Sequence, residues 1–357
     1  MTDGTLTTSV ASRSQAVRLA PTHVLFGFVA IFAAALVGLS VGAASIPVSG
    51  VLLELLDHVP GLSVDSGLSE LHQNIVWEIR FPRVVLGLLV GALLACSGAA
   101  YQGAFRNPLA DPFLLGIAAG AGLGATVGFV FGLGDGSGPF DAIPLLAFAG
   151  ALFAVVLAFA VGATGERGRS STTLLLAGVA VASLLTAAQT YLVQRDTETL
   201  RQVYTWILGR LTTAGWTEVV VVLPYAVVSV SVMMWHRRAL DVLAVGDDEA
   251  ATLGISPRRT RTIVVVAASL AAAAAVAVSG LIGFVGLVVP HGVRLAFGTS
   301  NRVVLPLSLL FGAAFLALAD VAARTVESPA ELPIGVVTAF VGAPFFLYLL
   351  RTSQGPR

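Results

Sequence analysis

The stretch VSGLIGFVGLVVPHGVRLAFG, residues 278–298, decides how this chain is read. It is apolar enough for a membrane, carries five glycines, places Pro290-His291 in its middle and ends close to Arg294. Hydrocarbon supplies no hydrogen-bond partners. A helix can therefore break there only where the freed backbone groups face protein or a water-filled cavity. A helix break at Pro290 and His291 is expected, and with it a pathway or gate rather than a simple anchor. A second interrupted string, GAFRNPLADPFLLGIAAGAGLG at 103–124, lies in the first half. Two such elements in one polytopic chain point to a transporter.

The composition agrees. Hydrophobic residues make up 56% of the 357 and charged residues 11%, where soluble domains carry about 25% charged. Apolar runs predict an all-α polytopic membrane protein with ten spans, cored on 24–45, 84–104, 114–131, 143–161, 174–192, 219–235, 262–281, 284–295, 303–323 and 335–350. The first run follows Arg13 and Arg18 as a signal sequence would, but its length of about 22 residues exceeds the usual h-region of about 7–15. It is read as an uncleaved span. The expected organisation is a tail over 1–23, one transmembrane domain over 24–350 with a cytoplasmic element at 240–261, and a tail over 351–357.

All twenty basic residues are arginine. With the N-terminus inside, fourteen fall on cytoplasmic segments, and Arg80, Arg83, Arg195, Arg201, Arg210 and Arg324 fall outside. The positive-inside rule favours this orientation over its reverse.

Glycines at 116, 120, 124, 128, 132 and 136 recur every four residues. The earlier ones share a face of the third span, where they let a neighbouring helix approach or line a pore. Gly87 and Gly91 in the second span read the same way. Asp320 and Arg324 stand i,i+4 on one helical face and are expected to neutralise each other. Cys96 lies in an apolar run and reads as a small core hydrophobe.

Without lysine no GxxxxGK[ST] loop can exist, so nucleotide phosphates are not held in the P-loop manner. The five histidines include no i,i+4 pair, which removes HExxH zinc chemistry. No catalytic residue, metal site or cofactor is expected on this chain, and if it is a pump its energy source is expected in another subunit. Residues 240–261 have the grammar of a short capped helix. Asp247 is expected to cap it, Asp248 and Glu249 suit its positive end, Gly254 suits C′, and Pro257 blocks extension. The helix is either a solvated loop element or a docking knob for a cytoplasmic partner.

Several strings occur together in one order: Arg80-Phe-Pro-Arg83, Ser97-Gly98 followed by Gln102, Arg106-Asn-Pro-Leu-Ala-Asp-Pro112, Leu174-Leu-Leu-Ala-Gly178, Gly280-Leu-Ile-Gly-Phe-Val-Gly-Leu-Val-Val-Pro-His291, Ala319-Asp-Val-Ala-Ala-Arg324 and Glu331-Leu-Pro-Ile-Gly335. Over residues 75–350 the chain resembles the permease subunits of type II ABC importers, which carry ferric siderophores, haem and cobalamin. The resemblance implies a second permease subunit (the same chain or a close relative), two ATP-binding subunits inside and a solute-binding protein outside. Membrane lipid is the remaining neighbour, and nucleic acid is not a partner. ATP would be used by the partner subunit.

Residue by residue, the resemblance implies a coupling helix of Gly246, Asp247, Asp248, Glu249, Ala250, Leu253 and Gly254. Val245-Gly-Asp stands there where the family more often has Leu-Gly-Glu. It implies binding-protein docking by Arg80, Arg83 and Arg324, and a cytoplasmic gate of Asn107, Leu109, Ser171 and Thr172. Ferric siderophore is the first substrate expectation, ahead of haem and cobalamin. A partner-independent carrier or channel is the competing class.

Overall fold

The computed structural model describes residues 19–42, 44–133, 142–162, 171–196, 199–211 and 215–353, with the side chains of 171–172, 349–350 and 352–353 left aside. The tails carrying Arg13, Arg18 and Arg357, the loop with Arg167 and Arg169, and Gly136 lie outside the described residues.

The described residues form helices and no strand. In chain order they are α1 (Pro21–Ser40), α2 (Val48–Asp57), α3 (Glu70–Asn74), which runs through a π-helical turn (Ile75–Arg80) into α4 (Phe81–Phe105), then a 3₁₀ turn (Pro112–Leu115) and α5 (Ile117–Val130). There follow α6 (Ala142–Gly162), α7 (Ser171–Arg195), α8 (Leu200–Ile207), α9 (Trp216–Val245), α10 (Asp247–Thr252), α11 (Pro257–Ser279), α12 (Val285–Phe297), α13 (Asn301–Thr325) and α14 (Ile334–Ser353). Ten of these helices fall on the ten expected spans. Seven, those containing α1, α4, α6, α7, α9, α11 and α13, are long and apolar enough to cross a bilayer unaided. α5, α12 and the apolar part of α14 are shorter. At 1.5 Å per residue the 14 residues of α5 and 13 of α12 cover about 20 Å of a hydrocarbon layer of about 30 Å. Both short helices belong to the interrupted strings of the sequence.

α4 is the centre of the bundle, and glycine lets its neighbours reach it. A Cβ on Gly91 would strike the Gly312 carbonyl of α13, and one on Gly98 would strike Gly286 of α12. Backbone thus meets backbone, the close approach that small residues permit in membranes. The four-residue glycine stripe does the same for α5 and α6: Gly120 faces Gly150, Gly124 faces Leu146 and Gly128 faces Ile143. From Gly116 to Gly128 the stripe packs helices. Cys96 is fully buried in the core.

The helix break is not at Pro290 and His291. α12 runs through both without interruption, and the irregular backbone lies at 280–284, where Gly280 and Phe284 have φ of 68°. Neighbours bond at its edge: Arg210 N–H donates to Ser279 O at 2.8 Å, and Gly335 N–H donates to Leu208 O at 3.1 Å. Proline removes the bond that residue 290 would donate to the carbonyl of 286. The Gln102 amide from α4 donates to that Gly286 carbonyl instead, at 3.0 Å. Its own oxygen accepts from Arg294, one turn beyond the proline. The helix survives its proline because a neighbour makes the missing bond. His291 sits half-buried against Phe345 and Phe346 of α14.

Candidate docking ends and passage

The candidate residues gather at two ends of the bundle. At one, which we call the α10 end, three connections converge. α9 continues beyond its expected limit to Val245, so Arg237, Arg238 and Asp241 are helical. Asp241 receives the Ser300 hydroxyl at 2.7 Å and ion-pairs Arg302 at 3.3 Å, tying α9 to the start of α13.

α10 begins after Gly246, which occupies the cap position, so Asp247 is the first helical residue and not the cap. Its carboxylate turns inward, to Arg261 of α11 at 3.0 Å and Arg106 after α4 at 3.2 Å. Asp248 and Glu249 remain exposed at the positive end of the helix. At the other end Gly254 has φ of 79°, and its N–H donates to Ala251 O while Ile255 N–H donates to Ala250 O. This pair of bonds is a Schellman closure, with buried Ala250 beneath it. The result is a six-residue helix carrying two exposed acids and flanked by exposed Val245 (71%) and Leu253 (69%).

Beside it, Asn107 accepts the Leu109 N–H at 2.9 Å and fixes the turn that leaves Leu109 exposed. Asp111 ends this loop, accepting the Phe113 N–H at 2.8 Å. Burial pushes its carboxyl up to about 6, against the opposing pull of that N–H. Ser171 and Thr172 open α7, and their side chains lie outside the described residues.

The opposite end, marked by α8, holds the three arginines expected on a docking surface. All three are buried. Arg83 grips Asp320 through Nε and Nη2 at 2.8–3.1 Å, and Glu331 through both terminal nitrogens at 3.0 and 2.9 Å. Arg324 completes the expected pair with Asp320 at 3.5 Å and donates to Gly38 O. Arg80 donates to Leu39 O at 2.6 Å, Ser40 O at 3.0 Å and Ala44 O. α1 ends at Ser40, so Arg80 and Arg324 occupy carbonyls that a helix C-terminus leaves open. Cations also suit the negative end of the dipole. These guanidiniums are spent inside the chain, and their direct contact with a partner does not follow from this geometry. Sequence reasoning missed the cap; the signal available was an α1 end with no polar side chain of its own beyond Ser40.

Between the ends, α7 carries an exposed face with Ser183, Thr186, Thr190, Tyr191 and Gln194. They line a groove of about 800 Å³, closed on one side by Phe113 and Leu114. Ser183 and Thr190 return their hydroxyl protons to the carbonyls one turn back, which leaves the oxygens as acceptors.

Comparison with known proteins gives this arrangement a place. Residues 29–352 match the FecCD transport family. The chain is 39% identical over 335 residues to the uncharacterized ABC transporter permease YvrB of Bacillus subtilis, covering 93% of this chain and 94% of that one. It is 43% identical over 288 residues to the cobalamin import permease BtuC of Halobacterium salinarum, covering 81% and 76%. Among solved structures, one described as a metal-chelate type ABC transporter in an inward-facing conformation superposes with a TM-score of 0.80 at 27% identity, over 93% of this chain and all of that one. The chain belongs to the FecCD transport family and is a permease of the type II ABC importer class.

Proposed function

We propose that this chain is the membrane half of an ATP-driven importer in the cytoplasmic membrane. In this reading the α10 end faces the cytoplasm with both termini, and a solute-binding protein delivers a bulky metal chelate at the α8 end. The observation that carries the proposal is α10: a closed, ion-paired helix too short to be a span, with exposed acids on it and exposed Val245 and Leu253 at its two ends. A solvated loop needs no such anchoring. A lever pulled by an ATP-binding subunit does, and Asp247 would transmit the pull to α4 and α11 through Arg106 and Arg261.

The α7 groove would form the passage with a second permease subunit. A stripe of hydroxyls and an amide is costly against lipid. Lined by weak acceptors and without charge, it could pass a large solute without gripping it. Selectivity would then sit mainly in the binding protein, and Asn107 and Leu109 with the start of α7 would close the cytoplasmic mouth. At the α8 end, Arg80, Arg83 and Arg324 would support the docking surface from beneath. The relatives named for cobalamin set a corrinoid beside the ferric siderophore and haem as candidate cargo.

The test is uptake and ATPase activity in proteoliposomes holding the permease with its ATP-binding subunit, wild type against Asp248→Arg/Glu249→Arg. The expected outcome is ATP-dependent uptake in wild type and loss of coupling in the variant, with assembly weakened at least tenfold. Uptake without ATP or partner would instead make the chain an independent carrier.

A further inference from the structure

α10 is rooted in the bundle at a second point, apart from the ion pairs of Asp247. α9 runs without interruption from Trp216 to Val245, and Asp241 is the only acid between Glu218 and Asp247. It stands one turn before α9 ends. Its side chain is four-fifths buried, and both of its oxygens are taken by the start of α13. Oδ1 accepts the Asn301 N–H, while Oδ2 accepts the Ser300 hydroxyl at 2.7 Å and lies 3.3 Å from Arg302 Nε.

The start of a helix does not need this. Ser300 is α13's own cap and accepts the Arg302 N–H at 3.3 Å. Asp241 adds a second, charged cap from a different helix, at the positive end of α13. A carboxylate that holds two donors and a guanidinium fixes direction as well as distance. Apolar neighbours such as buried Leu240 and Leu243 do not. Asn301 is buried, with its Oδ1 against Gly103 of α4, where a Cβ would come within 2.9 Å. The next carbonyl of α4, Ala104 O, accepts from Arg261, the partner of Asp247. The two roots of α10 therefore meet on the last turn of α4. α13 itself is one helix of 25 residues, about 37 Å long. It touches α4 backbone to backbone at Gly312 and Gly91, so the two helices move together or clash. Its far end carries Asp320, held by Arg83, and Arg324, held by Gly38 O.

We propose that Asp241 is a positioning residue for transport: it passes the displacement of α10 into α13, which carries it to the ion cluster at the α8 end. The proposal rests on the importer reading and adds to it a residue outside α10. Asp247 reaches Arg106 and Arg261, and the polar hold on α13 belongs to Asp241. The two ends of the chain are then joined by one rod gripped at each end by a buried carboxylate, Asp241 at its start and Asp320 near its finish.

Ends joined in this way share a coupling free energy, which is read as a ratio of affinities. The measurement is the affinity of the solute-binding protein for the full permease with its ATP-binding subunit in nanodiscs, with and without a non-hydrolysable ATP analogue. Wild type should show a change of about tenfold. Asp241→Asn should bring the ratio at least about threefold closer to one, and Asp241→Glu should restore most of it. Ser300→Ala should act in the same sense and add little to Asp241→Asn, because the two share one link. Tyr101→Phe removes a buried hydrogen bond to Ser269 elsewhere in the bundle; it should lower the thermal midpoint and keep the ratio. An unchanged ratio in Asp241→Asn overturns the proposal and leaves the importer reading standing. So does an equal loss in Tyr101→Phe, which would trace the effect to stability alone, and so does a wild-type ratio of one. A wild type that assembles with no ATP-binding subunit refutes the importer reading and the proposal with it.

Discussion

Asp111 meets one backbone N–H and, among the described residues, no cation within 4 Å. Burial penalises the charge and pushes its carboxyl from the ordinary 3.8 up to about 6. The folded chain therefore binds a proton more tightly than the unfolded one, and stability from this group is present below about pH 4 and lost as pH rises through 6. Asp111→Asn keeps the acceptor for Phe113 and removes the charge. The variant should exceed wild type by up to about 3 kcal/mol above pH 7 and match it near pH 4. Thermal midpoints in detergent from pH 4 to 8 check this, and a gap that ignores pH would refute it. The raised carboxyl was not legible in the sequence, where Asp111 is one more letter of an Asn-Pro-Leu-Ala-Asp-Pro string. The Asp320–Arg324 pair was legible, since four residues is one helical turn. Arg83 joining it was not, because 237 residues separate it from Asp320 and no spacing rule reaches that far.

Elements show the same division. Ten spans and a stripe of packing glycines could be read directly, because hydropathy and small-residue spacing are local properties. The place of the break could not. Proline marks where a bond is missing, but whether a helix breaks there depends on what a distant helix offers, and α4 offers Gln102. This can be tested as a cycle. Gln102→Leu leaves the Gly286 carbonyl unpaired and Arg294 without its acceptor, at a cost of about 3 kcal/mol. Pro290→Ala restores an N–H to that carbonyl. In the Pro290→Ala background the cost of Gln102→Leu should fall by about 1 kcal/mol, measured by denaturant unfolding in micelles. Additive effects would mean that the two residues do not share the carbonyl. α10 was legible at its Gly254 end, whose closure the structure repeats, and misread at Asp247, whose side chain goes to arginines elsewhere in the chain.

For the whole molecule, the exposed faces must divide between lipid and water. The apolar exposed face of α6, with Phe153 and Val156, suits lipid, and the hydroxyl face of α7 suits a water-filled passage. Cys96 is buried, so the native chain is a silent background. Thr186→Cys and Thr190→Cys should react at least tenfold faster than Val156→Cys with a membrane-impermeant maleimide; equal rates would remove the passage from α7. The family was legible from motif order, whereas no residue pattern named the solute. The two arginines at the end of α1 have a last consequence, in the order of synthesis. α1 leaves the ribosome long before α13, yet one of its terminal carbonyls waits for Arg324, encoded some 280 residues later. A helix made early is thus finished late, and a chain arrested before α13 would carry an α1 whose end is still open to water and to quality-control machinery.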